Sequence, residues 1–564
     1  MHSDLDTRPP PASARTKPAG PANRNEAILD RLVAFGTSPT PIEILLASLV
    51  LAVFGAVIFA SHILHGALYF DDFAIGANSL YPPGGRGLLH AISAGWAAGL
   101  YRPVLVVYAP LTFYLTGTHA SLQIALAILL AVTVAVCAFG VLRSLGLPTV
   151  HAGVVAGLTL AYPWYDALRM WSTASEASLA ITFALGGLWV ALVGIRRGSS
   201  RWHVAAALLY LTSILTYEVT IPAILGAGLV YGARSGWRST RRLWLMDIVA
   251  AAIGTAWVFG HEVHQSYGIA ADITHAREIA SAGVTMTGRS VIAPGLESHT
   301  AIAIAGLLVA LAIGIAMIVF RASWAGDGIA ARRWLWMMAG GLGLAILGWA
   351  IFIPADPYYT PTIWGVTNRV NAVAGLGCVV LVYGALGIIG DAVRGATRNP
   401  PVVASMITVG LAVFLGATYV RVLERHERVW NAAGRLETKG INVIKSDIPR
   451  LAQGSTLFVG GWPAYYTLGV PVYSTDWDLN GLTQLTYHTH HVNAYPLLAG
   501  WKLTCGPSGV FLSGLGAPPT VAPYGHAWLI DLATNQRDRP VSRAACARET
   551  PHYAPGPLYL TTTY

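Results

Sequence analysis

PIEILLASLVLAVFGAVIFASHILHGALYFDDFAIGANSL, residues 41–80, decides the class of this chain. Its first part, about 41–64, is long enough to cross a bilayer, and no small-residue cleavage site follows a short apolar core, so it reads as a signal anchor. Just beyond it stand two adjacent carboxylates, Asp71 and Asp72. A lipid headgroup and an aqueous substrate meet at that depth, and burying an acid in hydrocarbon is costly. Asp is also a favoured N-cap, so a solvated helix start is the plain alternative.

The remainder of the chain repeats the apolar pattern. Of 564 residues, 54% are hydrophobic and 11% charged, with mean hydropathy +0.54. Soluble domains are less apolar and more charged, so a polytopic membrane protein is expected. The net charge of +9 lies in short clusters between apolar runs: RRGSSR at 196–201, RSGWRSTRR at 234–242, ARR at 331–333 and RGATR at 394–398. That is the positive-inside pattern, and no nucleic-acid partner is implied. Residues 1–40, rich in Pro, Ala and Arg, read as a disordered cytoplasmic tail.

With the first helix running outward and each basic cluster inside, further spans are expected near 119–142, 149–164, 175–195, 203–216, 218–233, 243–260, 298–320, 334–353, 370–390 and 401–420. The expected architecture is an all-α polytopic domain over 41–420 with about 11–13 transmembrane helices. Its first external loop covers 65–118, where 88–115 reads as juxtamembrane helices plus a re-entrant or paired segment. The arms 203–216 and 218–233 have only about 15 residues each where a crossing needs about 20. Their turn, at Tyr217 and Glu218, should therefore lie below the outer surface, with Glu218 pointing into an externally open cavity.

From about 421 to 564 the apolar runs shorten and turn residues multiply, as in STLFVGGWPAYYTLGVPVYSTDWDLNG at 455–481. A small extracytoplasmic domain, α/β or β-rich, is expected there. Cys137 and Cys378 fall in expected spans, whereas Cys505 and Cys546 share the external domain and suit one disulfide in an oxidising compartment.

The outer face collects carboxylates and arginines. The first loop supplies Asp71, Asp72, Arg86, Tyr101 and Arg102; YPWYDALRMWSTASEASL at 162–179 adds Asp166, Arg169 and Glu176. Glu218 stands on the sunken turn, and DPYYTPTIWGVTNRVN at 356–371 adds Tyr358, Tyr359, Arg369 and Asn371. The loop 261–297 contributes His261, Glu262, His264, His275 and Arg277. Arginine forks bind phosphate and a carboxylate takes a proton from a hydroxyl. HEVH at 261–264 and the histidines His488, His490 and His491 have metal-like spacing but no zinc-type context, so no metal is assigned and a divalent ion is left open.

FDDFAIGANS followed by YRPV resembles the first external loop of GT-C glycosyltransferases, in particular the transmembrane-and-TPR and protein O-mannosyltransferase group. Asp71, Asp72, Ile75 and Asn78 match its acidic element, and Tyr101, Arg102 and Pro103 its second element. LTYEVTIP at 215–222 resembles the Lys-Glu turn of that group with Tyr217 in place of Lys, and Arg169 to Glu176 resembles its spacing in the second external loop. TPR repeats are lacking, which leaves the acceptor open.

The resemblance implies a GT-C-type transferase moving a hexosyl or pentosyl group, with inversion, from a polyprenyl-phosphate sugar donor to a hydroxyl of a glycan, lipid or protein acceptor. The reaction belongs on the outer face of the cytoplasmic membrane, in contact with membrane lipid. Asp71 is then the preferred base, Asp72 the alternative, with Glu176 and Glu218 as further candidate catalytic acids. Arg102, Arg369, Tyr101 and Arg169 are the candidate phosphate-binding residues. A transporter or flippase of lipid-linked glycans, or a non-catalytic subunit of a cell-envelope assembly, are the rival classes; a transporter is expected to show internal repeats and midplane charges instead.

Overall fold

The computed structural model describes residues 39–261, 268–291, 329–397, 401–514 and 517–561. The expected tail, apart from its last two residues, the expected span at 298–320, and Glu262 and His264 lie outside them.

Helix α1 (Pro41–Ile58) starts on a reciprocal cap: Thr40 Oγ1 accepts from the Glu43 N–H at 3.2 Å, and Glu43 Oε2 accepts from the Thr40 N–H at 2.8 Å. Glu43 also holds the buried Arg143 at 3.3 Å, tying α1 to a later helix. After α2 (Ala60–His65) and the acidic α3 (Asp71–Leu80) come α4 (Leu88–Gly99) and α5 (Pro103–Thr116), two short helices over the stretch read as juxtamembrane helices plus a re-entrant or paired segment. Then follow α6 (Ala120–Ser144), α7 (Thr149–Ala161), α8 (Ala167–Met170) and α9 (Ser175–Arg197). Gly198, at φ 61°, closes α9 in the left-handed region that side chains disfavour, beside Arg196 and Arg197.

Helices α10 (Ser200–Thr216) and α11 (Ile221–Ser235) flank a 3₁₀ turn at Glu218–Thr220. Their 17 and 15 residues span roughly 25 and 22 Å, less than a ~30 Å hydrocarbon core, as the short arms required. Next are α12 (Trp237–His261), α13 (Ile269–Val291), α14 (Ile329–Ala350), α15 (Ala372–Thr397) and α16 (Pro401–Asp447). Among the described residues six helical stretches are long and apolar enough to cross a membrane: 41–58, 120–144, 175–197, 237–261, 366–396 and 402–447. The protein therefore carries a largely helical membrane-spanning part.

Three expectations change. Residues 269–291, read as loop, form α13, with His275, Ile279, Gly283 and Met286 buried along one face. The span expected at 149–164 is only the 13-residue α7. The boundary expected at 421 falls inside α16, a helix of 47 residues that runs roughly 70 Å. The C-terminal domain thus begins beyond Asp447, joined to the membrane part by continuous helix.

That domain contains β1 (Thr456–Gly460), β2 (Tyr465–Thr467), β3 (Val470–Pro471), α17 (Asp476–Tyr487), β4 (Asn493–Pro496), β5 (Lys502–Cys505), β6 (Gly509–Gly514), β7 (Ala517–Pro523), β8 (Ala527–Asp531), β9 (Gln536–Asp538) and α18 (Arg543–Glu549). The buried run TLFVG forms β1, parallel to both β4 and β8, with β9 antiparallel on the outer side, so the order is β4-β1-β8-β9. Strands β5, β6 and β7 make a separate antiparallel sheet. The α/β alternative is the one realised.

The domain does not hang free. One contiguous core joins Tyr69, Phe70 and Trp171 of the membrane part to Val470, Tyr473 and Leu479. Where α17 crosses α3, a Cβ on Gly481 would stand 2.4 Å from Ala74 N, so only glycine permits this backbone contact. At a second junction the Val366 N–H donates to the Gly469 carbonyl at 2.8 Å.

Cys505 and Cys546 are bridged, with Cα atoms 5.9 Å apart, 41 residues apart in sequence. Replacing both by Ser should cost about 2–4 kcal/mol of domain stability. Thiol labelling of the unreduced, denatured protein checks the bridge: Cys137 and Cys378 should react alone, and four labelled thiols would refute it.

Candidate active site

The Asp pair is split by the backbone. Phe70, the residue capping α3, sits at φ 50° and ψ −118°, a conformation that costs a bulky side chain energy and is held here by packing. Its ring meets Trp171 at 5.5 Å and Trp477 at 5.7 Å, both edge-on. Phe70 is the N-cap and no side chain caps α3, so the plain helix-cap reading of the two acids does not hold. Successive helical residues diverge by about 100°, which sends the carboxylates to different partners.

Asp72 is fully buried. Its Oδ2 accepts from the Tyr69 N–H at 3.0 Å, and its Oδ1 accepts from the N–H and the hydroxyl of Thr173 at 2.7 and 2.5 Å. Burial pushes its carboxyl up to about 7, against these donors. Asp72 therefore joins the start of α3 to the segment before α9, with both oxygens hydrogen-bonded.

Asp71 is only partly covered. Trp477 Nε1–H donates to its Oδ1 at 2.8 Å. Burial raises its pKa above the usual carboxylate range, while the Arg369 charge and the Trp477 hydrogen bond oppose the rise. A raised carboxylate with one hydrogen-bonded oxygen is a stronger base than a free one and stays accessible to a hydroxyl.

Arg102 does not present an empty fork. Its Nε and Nη2 donate to the two Glu218 oxygens at 3.0 and 2.5 Å, and Nη1 lies 3.7 Å from Glu176. The guanidinium rests on the Tyr217 ring at 4.3 Å and the Tyr101 ring at 5.1 Å. This two-toothed pair welds the start of α5 to the turn between α10 and α11. Glu218, expected to point into an open cavity, is engaged by Arg102, both side chains staying about a fifth exposed, and Tyr101 serves as backing for that arginine.

Arg169 is fully buried, its two terminal nitrogens donating to the carbonyls of Leu160 and Tyr162 at 2.5 Å each. It organises the bend between α7 and α8 and is out of reach of a phosphate. Asp166, also fully buried, takes the Asn368 amide and His426 Nδ1, while Asn371 donates to the Trp164 and Thr362 carbonyls at 2.7 Å. These contacts pin the segment carrying Arg369.

Arg369 differs from Arg102 and Arg169 in its terminal nitrogens, which are not engaged by a carboxylate or carbonyl of the described residues; the unpartnered Nε it shares with Arg169. Its guanidinium lies 5.0 Å from the Trp171 ring centre and 5.5 Å from that of Tyr359, and its buried Nε has no hydrogen-bond partner among the described residues. It is flanked by rings, close to Asp71, with donors to spare. The structure thus places Asp71 within electrostatic reach of Arg369, with Arg102, Glu176, Glu218, Tyr101 and Tyr217 as a neighbouring network.

Among the described residues no group of three His, Cys, Asp or Glu side chains is arranged to hold a metal. His488 Nδ1 meets the Tyr81 hydroxyl at 2.7 Å, His490 and His491 pack ring on ring at 3.8 Å, and His275 Nδ1 meets the Ile353 carbonyl at 3.2 Å. Sequence reading missed Trp477, about 400 positions from the acid it touches. The only local signal was the capped helix start around it: Thr475 accepts from the Asp478 N–H in a capping box.

No protein-family model matches the chain, and no curated protein is significantly similar to it.

Proposed function

We propose that the chain is a membrane glycosyltransferase of the GT-C type, moving one sugar from a polyprenyl phosphate to an acceptor hydroxyl on the outer face of the cytoplasmic membrane. The observation that carries this reading is an arginine with unused donors, Arg369, beside a partly exposed carboxylate, Asp71, just past the membrane-spanning α1. Asp71 accepts the acceptor's proton as its oxygen attacks C1 of the donor sugar from the side opposite the phosphate. The C1–O bond to phosphate breaks, configuration inverts, and the electron pair leaves with the polyprenyl phosphate. Arg369 neutralises that charge as it develops. The Arg102–Glu218–Glu176 network holds the loops in register, so these two groups meet without reorganisation.

Arg369→Ala tests the donor half. Removing a charged, hydrogen-bonding contact to phosphate should weaken binding about 10–100-fold, with Arg369→Lys intermediate because lysine keeps charge but not the fork. Titration of a short-chain polyprenyl phosphate, followed by the fluorescence of the adjoining Trp171, gives the dissociation constant directly. Unchanged affinity in Arg369→Ala would place the phosphate elsewhere.

A further inference from the structure

Two exposed rings stand at the rim of this site, one from each part of the molecule. Trp477 of α17 is 46% exposed although its N–H is bonded to Asp71 at 2.8 Å. Tyr358, on the 3₁₀ turn Pro357–Tyr359 of the membrane part, is 45% exposed and lies within electrostatic reach of Asp71, Arg369 and Tyr465. Many other large exposed apolar side chains, such as Leu45, Leu49 and Val53 of α1, lie on helices long and apolar enough to cross a membrane, where lipid would cover them. Trp477 and Tyr358 lie on none of these helices and stand near Asp71 and Arg369.

Their positions are fixed. Asp478 Oδ2 accepts from the N–H and hydroxyl of Ser474 at 2.8 and 3.0 Å, securing the start of α17. Gly481 presses the same helix onto α3, and Phe70 meets the Trp477 ring edge-on. Tyr358 is held by its own N–H, which donates to Asp356 Oδ1 at 2.8 Å, and packs edge-on against Tyr359 at 5.5 Å. A rigid aromatic surface binds without an ordering cost.

We propose that Trp477 and Tyr358 form a stacking platform for a sugar ring, so that the acceptor whose hydroxyl reaches Asp71 is a saccharide. A pyranose or furanose ring presents a face of C–H groups, weakly positive, which suits the negative face of an aromatic ring. Its edge carries hydroxyls, and one of these would then stand at Asp71. A peptide acceptor asks for an open strand edge or pockets for alternate side chains, and the groups around Asp71 are rings, an N–H and a guanidinium. The C-terminal domain supplies Trp477, so it takes part in acceptor selection. This inference rests on the transferase reading and adds the acceptor class to it.

Saturation-transfer NMR on the full-length protein in nanodiscs tests it, with neutral trisaccharides of mannose, glucose, galactose and arabinose as probes and a Ser/Thr-rich peptide beside them. At least one trisaccharide should bind, and Trp477→Ala and Tyr358→Ala should each weaken it about tenfold or more. Trp477→Phe keeps a ring and should hold affinity within about threefold. Because Trp477 sits at the junction of the two parts, Tyr358→Ala serves as the variant that leaves the junction intact. Binding of no trisaccharide, or binding indifferent to both alanine variants, would overturn the proposal, as would peptide binding that depends on Trp477. Polyprenyl phosphate titration is independent of these rings: if Arg369-dependent phosphate binding persists while saccharide binding fails, only the acceptor assignment falls.

Discussion

Asp71→Asn should lower sugar transfer by about 10²–10⁴-fold while leaving polyprenyl phosphate affinity nearly unchanged. The amide keeps the shape of the carboxylate and can still accept from the Trp477 N–H, so the junction with the C-terminal domain survives. It cannot take up a proton. The loss should therefore fall on kcat, unlike Arg369→Ala, whose loss falls on donor binding. The pH profile carries a second signature. The groups facing Asp71 are Asp72, Glu176, Arg369, Tyr358 and Trp477, and their sum with burial places its pKa above the ordinary range. A base works when deprotonated, so activity should rise with pH through that raised value. Trp477→Phe deletes a donor that favours the ionised form, so the rise should move to higher pH. A profile that stays put in Trp477→Phe would detach Asp71 from the rate.

Asp72 should behave in the opposite way. Asp72→Ala leaves the Tyr69 N–H and the N–H and hydroxyl of Thr173 unpaired in a fully buried place, which should cost about 3 kcal/mol. Asp72→Asn rescues it only in part, since donors face both oxygens and an amide turns a donor toward one of them. Thermal unfolding of the detergent-solubilised protein measures this. Burial raises the folded-state carboxyl from 3.8 to about 7, so its contribution favours the fold most below the ordinary carboxylate range and is lost as pH rises through about 7. If Asp72→Asn is as stable as the wild type yet inactive, Asp72 is the reacting acid and Asp71 its support.

Counting residues was enough to see some of this geometry. The arms on either side of Tyr217 and Glu218 are too short to cross, and the helices found there have 17 and 15 residues. The bridge between Cys505 and Cys546 was equally legible, since they are the two cysteines outside the expected spans. What adjacent acids do is another matter. Asp71 and Asp72 are identical in sequence terms, and only the strained Phe70 and the approach of Thr173 and Trp477 separate them. Arginine roles were hidden for a related reason: Arg102, Arg169 and Arg369 all stand at helix ends, but the distant Glu218 consumes the first and the carbonyls of the nearby bend at Leu160 and Tyr162 the second. The continuation of α16 past 421 was masked by a change in composition, since a helix leaving the membrane exchanges apolar residues for Arg421, Arg425 and Arg428 without breaking its backbone pattern.

Purified wild-type protein in proteoliposomes, supplied with a panel of short-chain polyprenyl-phosphate hexoses and pentoses and simple saccharide acceptors, provides the most direct test. Mass spectrometry follows the freed polyprenyl phosphate and the extended acceptor together. One donor should yield both products in equal amounts, with inverted configuration at C1, and Asp71→Asn should yield neither above background. Donors that cross the bilayer intact with no polyprenyl phosphate released would contradict a transferase and point to a carrier of lipid-linked sugars.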